Sequence, residues 1–123
     1  MSFKTLLAYQ KSFRLAMECF ELSKGFPAEE KYDLTSQLRR SSRSVCAQIA
    51  EGYRKRKYPK YFVSKLVDAS GENSETEIWI DFSFDCNYIN EQTQKNLLEM
   101  NHEVGRLLSF MIDNPDKFGS IKE

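Results

Sequence analysis

The stretch from Gln37 to Lys57, QLRRSSRSVCAQIAEGYRKRK, constrains the fold of this chain more than any other. At 100° per residue, its apolar and small residues fall on one face of a helix: Leu38, Ser42, Val45, Ile49 and Tyr53, with Ser41 and Gly52 at the margins. The opposite face carries basic residues spaced by alanines: Arg39, Arg43, Arg54, Ala47 and Ala50, with Arg40 at the edge. The pattern predicts a helix that packs through one face and presents a basic face outward.

Length and composition predict a single globular domain. The chain has 123 residues, of which 41% are apolar and 29% charged, and its 5 Gly and 3 Pro favour long helices. We expect residues 1–115 to form one domain and residues 116–123 a short frayed tail. There is no apolar run of membrane-spanning length and no secretory signal, and the three scattered cysteines fit buried free thiols. These features predict a cytoplasmic protein.

The first helix is predicted from Phe3 to Lys24, with Ser2 as its N-cap. We expect Gly25 to end it in the left-handed conformation, followed by Pro27, which cannot continue a helix. Its predicted buried face comprises Phe3, Leu6, Leu7, Phe13, Ala16, Met17 and Phe20.

The second and third helices follow short connections. Asp33 or Thr35 is the expected N-cap of the second helix, which runs to about residues 53–55, and Pro59 is the expected first residue of the third. The third helix carries a core stripe at spacings of three and four: Phe62, Leu66, Ala69, Asn73, Thr76, Ile80 and Phe84. We expect Asn73 to make a polar contact that fixes the register, and Gly71 to mark a close approach to a neighbouring helix.

Residues 78–89 carry two conflicting signals. Apolar residues alternate there as in a strand, but nothing upstream interrupts the helix and no second strand is available for pairing. We therefore predict helix. Such a helix is apolar on more than one side, and Trp79, Phe82 and Ile89 exceed what an intramolecular core would use. We expect these three residues to form the interface of a homo-oligomer.

The fourth helix is predicted from an N-cap at Asn90 to about Asp113, and Asn114-Pro115 ends it. Its apolar face comprises Leu97, Leu98, Met100, Val104, Leu107, Leu108 and Met111. The four amphipathic helices predict an all-α fold, an antiparallel up-down four-helix bundle.

Charge is segregated along the chain although the net charge is zero. Residues 37–65 contain nine basic side chains and one acidic one, and residues 66–103 contain nine acidic side chains and one lysine. Three interpretations of the basic face stay open: a solvated surface, a contact with the acidic block of a neighbouring subunit, or phosphate binding aided by Tyr53, Tyr58 and Tyr61. The predicted nucleic-acid-binding or partner-binding residues are Arg39, Arg40, Arg43, Arg54, Lys55, Arg56 and Lys57.

The remaining chemistry-bearing residues give weak signals. Glu99 and His102 have the Glu-x-x-His spacing of a bundle metal site, but His102 is the only histidine and a solvated face is the preferred interpretation. Cys46 is either a thiol activated by nearby arginines or, as we prefer, an inert buried one. Glu51 has Lys55 four residues ahead as an exposed partner. We expect no catalytic residues, no metal and no cofactor, and hence no enzyme.

Three segments resemble the bacterial four-helix-bundle family of proteins encoded in 23S rRNA intervening sequences. They are FPAEEKYDLTSQLRRSSRSV at 26–45, QIAEGYRKR at 48–56 and SGENSETEI at 70–78. The resemblance implies a four-helix bundle assembled as a homopentamer with a central channel, and Glu51 with Glu75 or Glu77 as polar ties at a helix or subunit junction. The chain differs in having Gln48 where the family usually has Asn.

One branch of the family, the accessory variability determinant of diversity-generating retroelements, is a basic pentamer that partners a reverse transcriptase and binds nucleic acid. The resemblance therefore implies a non-catalytic oligomeric scaffold that binds RNA, DNA or a nucleic-acid enzyme through the basic face. The alternative is a protein–protein assembly module with no nucleic-acid binding. Unlike that branch, this chain has a net charge of zero.

Overall fold

The computed structural model describes residues 2–120, which form four helices and no strand. The helices are α1 (Leu7–Ser23), α2 (Leu34–Arg54), α3 (Pro59–Asp85) and α4 (Glu91–Asp113). Short 3-10 turns lie at Phe3–Thr5, Ala28–Glu30 and Pro115–Phe118. The all-α prediction is confirmed, and the stretch with alternating apolar residues is helical as far as Asp85. No helix among residues 2–120 is long and apolar enough to cross a membrane.

Hydrogen bonds between successive helices show that neighbours run antiparallel. In each helix pair, moving toward the C-terminus of one helix moves the partner residue toward the N-terminus of the other. The contacts that show this are Ser12–Cys46 and Ser23–Arg39 for α1 and α2, Ser41–Thr76 and Gln48–Lys65 for α2 and α3, and Asn73–Asn101 and Asp81–Gln94 for α3 and α4. With α1 also packed on α4, these contacts give the predicted up-down bundle.

The interior consists of two apolar clusters separated by a buried polar layer. The upper cluster includes Val45, Ile49, Phe62, Leu66, Val104 and Leu108, and the lower cluster includes Leu15, Cys19, Leu38, Ile80 and Leu97. Between them, every helix contributes small polar side chains that are at most 6% exposed: Ser12, Ser41, Ser42, Asn73, Thr76 and Asn101. These groups hydrogen-bond to one another or to the backbone, so burial leaves them satisfied.

The predicted helix ends are correct in part. Asn90 caps α4 by accepting a hydrogen bond from the Thr93 N–H at 2.8 Å, and Pro59 begins α3. Ser2 caps the first 3-10 turn instead of α1, which starts at Leu7. The prediction of a left-handed Gly25 is wrong, because Gly119 is the one glycine with positive φ among residues 2–120.

The predicted buried face of the first helix is wrong in part: Leu6 and Ala16 are buried as predicted, but three of the larger residues are not. Leu7, Phe13 and Met17 are 52%, 51% and 44% exposed, and the helix packs instead through Ala8, Ser12, Leu15, Ala16 and Cys19. The small side chains on that face let α1 lie close to α2, where Ser12 meets Cys46 at 3.3 Å. Close packing of the helices thus decides which face is buried, and larger apolar side chains stay on the surface.

Two other predictions, one about Gly71 and one about residues 78–89, also need correction. A Cβ atom added at Gly71 would meet nothing within 4 Å, so this glycine marks no close approach within the chain; Gly52 on α2 does, 2.9 Å from the Lys65 Cβ. Trp79 and Ile89 were expected to be surplus to the core, but both pack partly against the lower cluster. Phe82 is 52% exposed.

The C-terminal segment is ordered as far as residue 120. Residues 115–118 form a 3-10 turn, and Ser120 is buried and donates a hydrogen bond to the backbone oxygen of Arg56. The expectation of a frayed tail is therefore wrong for residues 116–120, and residues 121–123 lie outside the described part of the chain.

Candidate nucleic-acid or partner interface

Arg39 and Arg43 lie on the side of α2 that faces α1, and both rest on the same aromatic ring. Their guanidinium carbons are 4.8 and 5.4 Å from the centroid of Phe20. Arg39 Nε also donates to Ser23 Oγ at 2.8 Å. These contacts hold the two guanidinium groups against α1. They therefore reduce the side-chain entropy that the two arginines would lose on binding a ligand.

Arg40 differs from its neighbours because two carboxylates of α3 neutralise its positive charge. Its Nη1 lies 3.0 Å from Glu72 Oε2, and its Nη2 contacts Glu75. In the same way, Lys65 Nζ lies 3.0 Å from Glu51 Oε2 and donates to Gln48 Oε1 at 3.3 Å. The predicted Glu51–Lys55 pair is therefore replaced by a contact between helices. Part of the segregated charge is thus balanced within one chain.

The basic loop after α2 carries the other predicted binding residues. Arg54 lies 5.9 Å from the ring of Phe3, and Lys55 lies 6.0 Å from that of Tyr61. Arg56 is half-buried, 4.3 Å above the ring of Tyr53, and its Nη1 donates to the Tyr53 carbonyl oxygen at 3.1 Å. Arg56 therefore shapes the loop, while Arg54, Lys55 and Lys57 are exposed to solvent.

Six of the seven predicted basic residues have no carboxylate partner among residues 2–120. They are Arg39, Arg43, Arg54, Lys55, Arg56 and Lys57, and Arg40 is the exception. Five of the six instead lie over aromatic rings. One side of the bundle therefore presents positive charge that the described part of the chain leaves uncompensated.

An apolar groove of about 400 Å³ runs between α1 and α2 beside these arginines. Exposed Phe13 and Met17 form one wall, Ala47 and Ala50 form the other, and Arg43 lies at its edge; Phe3, Tyr9, Ala16 and Cys46 complete the lining. The sequence does not predict this groove, because the apolar pattern of α1 assigns Phe13 and Met17 to the core. The signal that could have found it is the row of small residues Ala8, Ser12 and Ala16 on the other side of α1.

Cys46 lies at the base of the groove as an inert thiol. Burial raises the pKa of Cys46, although its hydrogen bond with Ser12 opposes that shift. The interpretation as an arginine-activated thiolate is therefore wrong. Cys19 is also buried, whereas Cys86 is exposed, against the expectation of burial.

The Glu-x-x-His segment lies far from the basic face, on α4. Its histidine, His102, places Nε2 3.4 Å from Glu77 Oε1 of α3, and Glu99 is exposed. No group of three or more His, Cys, Asp or Glu side chains within residues 2–120 is arranged to hold a metal ion. The His102–Glu77 contact instead adds a polar tie between α3 and α4.

Comparisons with known proteins match nearly the whole chain. A family model described as 23S rRNA-intervening sequence protein matches residues 4–110. The fold is similar to the crystal structure of a protein of unknown function from the S23 ribosomal protein family of Bacteroides thetaiotaomicron, with a TM-score of 0.78 and 27% sequence identity. The match covers 86% of this chain and 98% of that one. No curated protein matches the chain.

Proposed function

Starting from the fact that this chain belongs to the 23S rRNA-intervening sequence protein family, we propose that it is a non-catalytic homo-oligomeric scaffold that binds a nucleic-acid backbone. The observation that carries this proposal is the set of basic side chains along α2 and the following loop that have no carboxylate partner among residues 2–120. The nucleic acid itself, or an enzyme that works on it such as a reverse transcriptase, is the partner class.

Phosphate groups are the ligands that this surface fits best. Arginine and lysine bind phosphates electrostatically and without regard to sequence, and each contact releases condensed counterions. Aromatic rings accompany the basic residues: Tyr58 and Tyr61 are 66% and 42% exposed beside the loop. Exposed rings stack on unpaired bases, at about 1–3 kcal/mol per base. Single-stranded RNA or DNA is therefore the preferred ligand over a duplex.

Oligomerisation would raise the affinity of such a surface. A few phosphate contacts per subunit bind weakly, but the same contacts repeated around a ring act together on one strand. We propose a pentamer, as the family resemblance implies, with Trp79, Phe82 and Ile89 contributing to its contacts. We also place the protein in the cytoplasm, where thiols such as Cys86 stay reduced.

A protein–protein assembly module without nucleic-acid binding is the second candidate. The observation that favours it is the apolar groove between α1 and α2. Its exposed side chains Phe13 and Met17 provide a hydrophobic contact area for a protein partner but no hydrogen-bonding groups for a nucleic acid. Arg43 at the groove edge would then meet a carboxylate of a protein partner instead of a phosphate.

The test is binding of fluorescently labelled single-stranded and duplex RNA and DNA, measured by anisotropy over a range of salt. We expect retention at low ionic strength and a fall of about 0.7–0.9 log units in affinity per phosphate contact for each tenfold rise in salt. The variant Lys55→Glu, Lys57→Glu should lose at least about tenfold in affinity. Lys31→Glu, Lys95→Glu makes the same change in net charge elsewhere and serves as the control. Absence of binding by the wild type at low salt would overturn the nucleic-acid proposal.

A further inference from the structure

The outer side of α3 carries a second apolar stripe, opposite the one that packs into the core. Val67, Ile78 and Phe82 are 52%, 48% and 52% exposed. Gly71 and Ser74, also exposed, lie between them, so that the five residues follow one another at spacings of four, three, four and four. Residues at these spacings form a continuous row along one side of a helix.

No packing contact within residues 2–120 requires a glycine at position 71. A glycine inside a helix costs about 0.5–1 kcal/mol relative to alanine, and a Cβ at this position would meet nothing within 4 Å. With Ser74 one turn further on, it leaves a shallow depression in the middle of the stripe, flanked by Val67 on one side and Ile78 and Phe82 on the other. Such a depression lets the surface of another molecule approach the α3 backbone closely.

The charges beside this stripe are acidic. Asp68, Asp81 and Asp85 are exposed and make no ion pair with any residue between 2 and 120. Two α3 stripes packed on each other would therefore place like charges together, which is unfavourable. The stripe requires a partner surface that is apolar at its centre and basic at its edges.

The α1/α2 surface of a second copy has that composition. Its groove is walled by Phe13 and Met17 on one side and by small Ala47 and Ala50 on the other. Basic residues along α2 extend from Arg39 to Arg54, fifteen residues or about 22 Å, the same length as the stripe from Val67 to Phe82. The basic residues thus match the full length of the stripe, and the apolar groove, which extends from Arg43 to Ala50 on α2, matches its central part.

We infer that the outer α3 stripe of one copy seats in the α1/α2 groove of the next copy, with Arg43 among the acidic residues of α3. Because the two surfaces differ, the contact is head-to-tail and repeats around a ring. This inference rests on the homo-oligomer of the proposed function and specifies its interface. Arg43 then belongs to the subunit contact, whereas the loop at residues 55–57, beyond the end of α2 at Arg54, remains free for phosphates.

Two variants that each destroy one of the surfaces test the arrangement. Gly71→Trp fills the depression on α3, and Phe13→Glu places a charge in the groove; both positions are exposed, so the fold tolerates them. Light scattering coupled to size exclusion should show an oligomer for the wild type and loss of it for each variant alone. Because each variant keeps one intact surface, an equimolar mixture should form a dimer of twice the 14.4 kDa chain mass.

Controls separate the possible failures. Lys95→Trp places the same side chain at another exposed helix position and should keep the oligomer, and helical circular dichroism confirms that each variant folds. An oligomer that survives Gly71→Trp, or two monomeric variants that do not combine, would overturn the inference and leave the proposed function standing. A monomeric wild type overturns both the inference and the oligomer. An intact oligomer that binds no nucleic acid overturns the nucleic-acid proposal alone.

Discussion

Asn73 of α3 and Asn101 of α4 exchange hydrogen bonds across the buried layer of the bundle. Asn73 Nδ2 donates to the Asn101 carbonyl oxygen at 2.9 Å, and Asn101 Nδ2 donates to the Asn73 carbonyl oxygen at 2.8 Å. Asn101 Nδ2 also lies 3.1 Å from Asn73 Oδ1. Sliding either helix by one turn would break the whole set and bury unpaired amides, so the pair fixes the register of α3 against α4.

Replacing one asparagine of this pair should destabilise the fold strongly. We expect Asn101→Leu to lower the free energy of unfolding by about 1–3 kcal/mol, because Asn73 Oδ1 and the Asn73 carbonyl oxygen lose the Asn101 Nδ2 donor while remaining buried. Urea denaturation monitored by circular dichroism measures this change.

The double variant Asn73→Leu, Asn101→Leu should then cost less than the sum of the two single variants, since no unpaired amide remains. Asn96→Leu, at an exposed position on the same helix, is the control and should change stability by less than about 0.5 kcal/mol. Strict additivity of the two buried substitutions would contradict the assigned coupling.

Alanine should have opposite effects at two helical glycines. At Gly52 a Cβ would lie 2.9 Å from the Lys65 Cβ and 3.4 Å from the Phe62 backbone oxygen, so Gly52→Ala forces α2 and α3 apart. We expect a loss of about 1–3 kcal/mol in unfolding free energy. Gly71→Ala meets no atom and should add about 0.5–1 kcal/mol in a monomeric background such as Phe13→Glu.

Thermal or urea unfolding of these two variants compares them directly. Equal stabilisation by both alanines would contradict the close packing of α2 on α3 at Gly52, because it would mean that this contact has room for a methyl group.

Stability should fall at alkaline pH because of Cys19. Burial, with a smaller contribution from Glu18, raises the pKa of this thiol from 9.0 to about 12 in the folded chain. Between these values the unfolded chain loses the thiol proton and the folded chain keeps it. The contribution is therefore fully present below pH 9 and is lost as pH rises toward 12, at about 1.4 kcal/mol per pH unit.

Urea midpoints of the wild type and Cys19→Ala between pH 8 and pH 10.5 test this expectation. Cys19→Ala should be less stable at pH 8 because a cavity replaces the thiol, but its stability should depend less on pH above 9. The same thiol should react slowly with an alkylating reagent in the folded protein, and exposed Cys86 should react quickly. Parallel alkaline curves for the two proteins would refute the assignment.

The core stripe of α3 could be predicted from sequence, and that of α1 could not. On α3, Phe62, Leu66, Ala69, Asn73, Thr76 and Ile80 are all buried as expected, with Ser83 in place of Phe84 at the end. That stripe is long and unbroken, so periodicity alone identifies it. On α1, large apolar residues occupy one side and small ones the other. Hydrophobicity alone predicts that the side with the large residues is buried. Close packing against α2 instead buries the side with the small residues.

The candidate site was predictable in charge but not in geometry. The segregation of basic residues along α2 is visible in the sequence, as is their position opposite the core stripe. That Arg40 meets Glu72 and Glu75, while Arg43 lies on Phe20, depends on how α2 is rotated between α1 and α3. A rotation of this kind is set by packing of both neighbours, which no single helix encodes.

The contact between Ser120 and Arg56 also bears on the order in which the molecule assembles. Successive helices of the bundle meet through short connections, so their pairing involves chain segments that are close in sequence and form rapidly. Ser120 and Arg56 are 64 residues apart, and joining them closes a long loop. We therefore expect the basic loop to reach its final conformation late in folding, after the chain has emerged at least as far as residue 120.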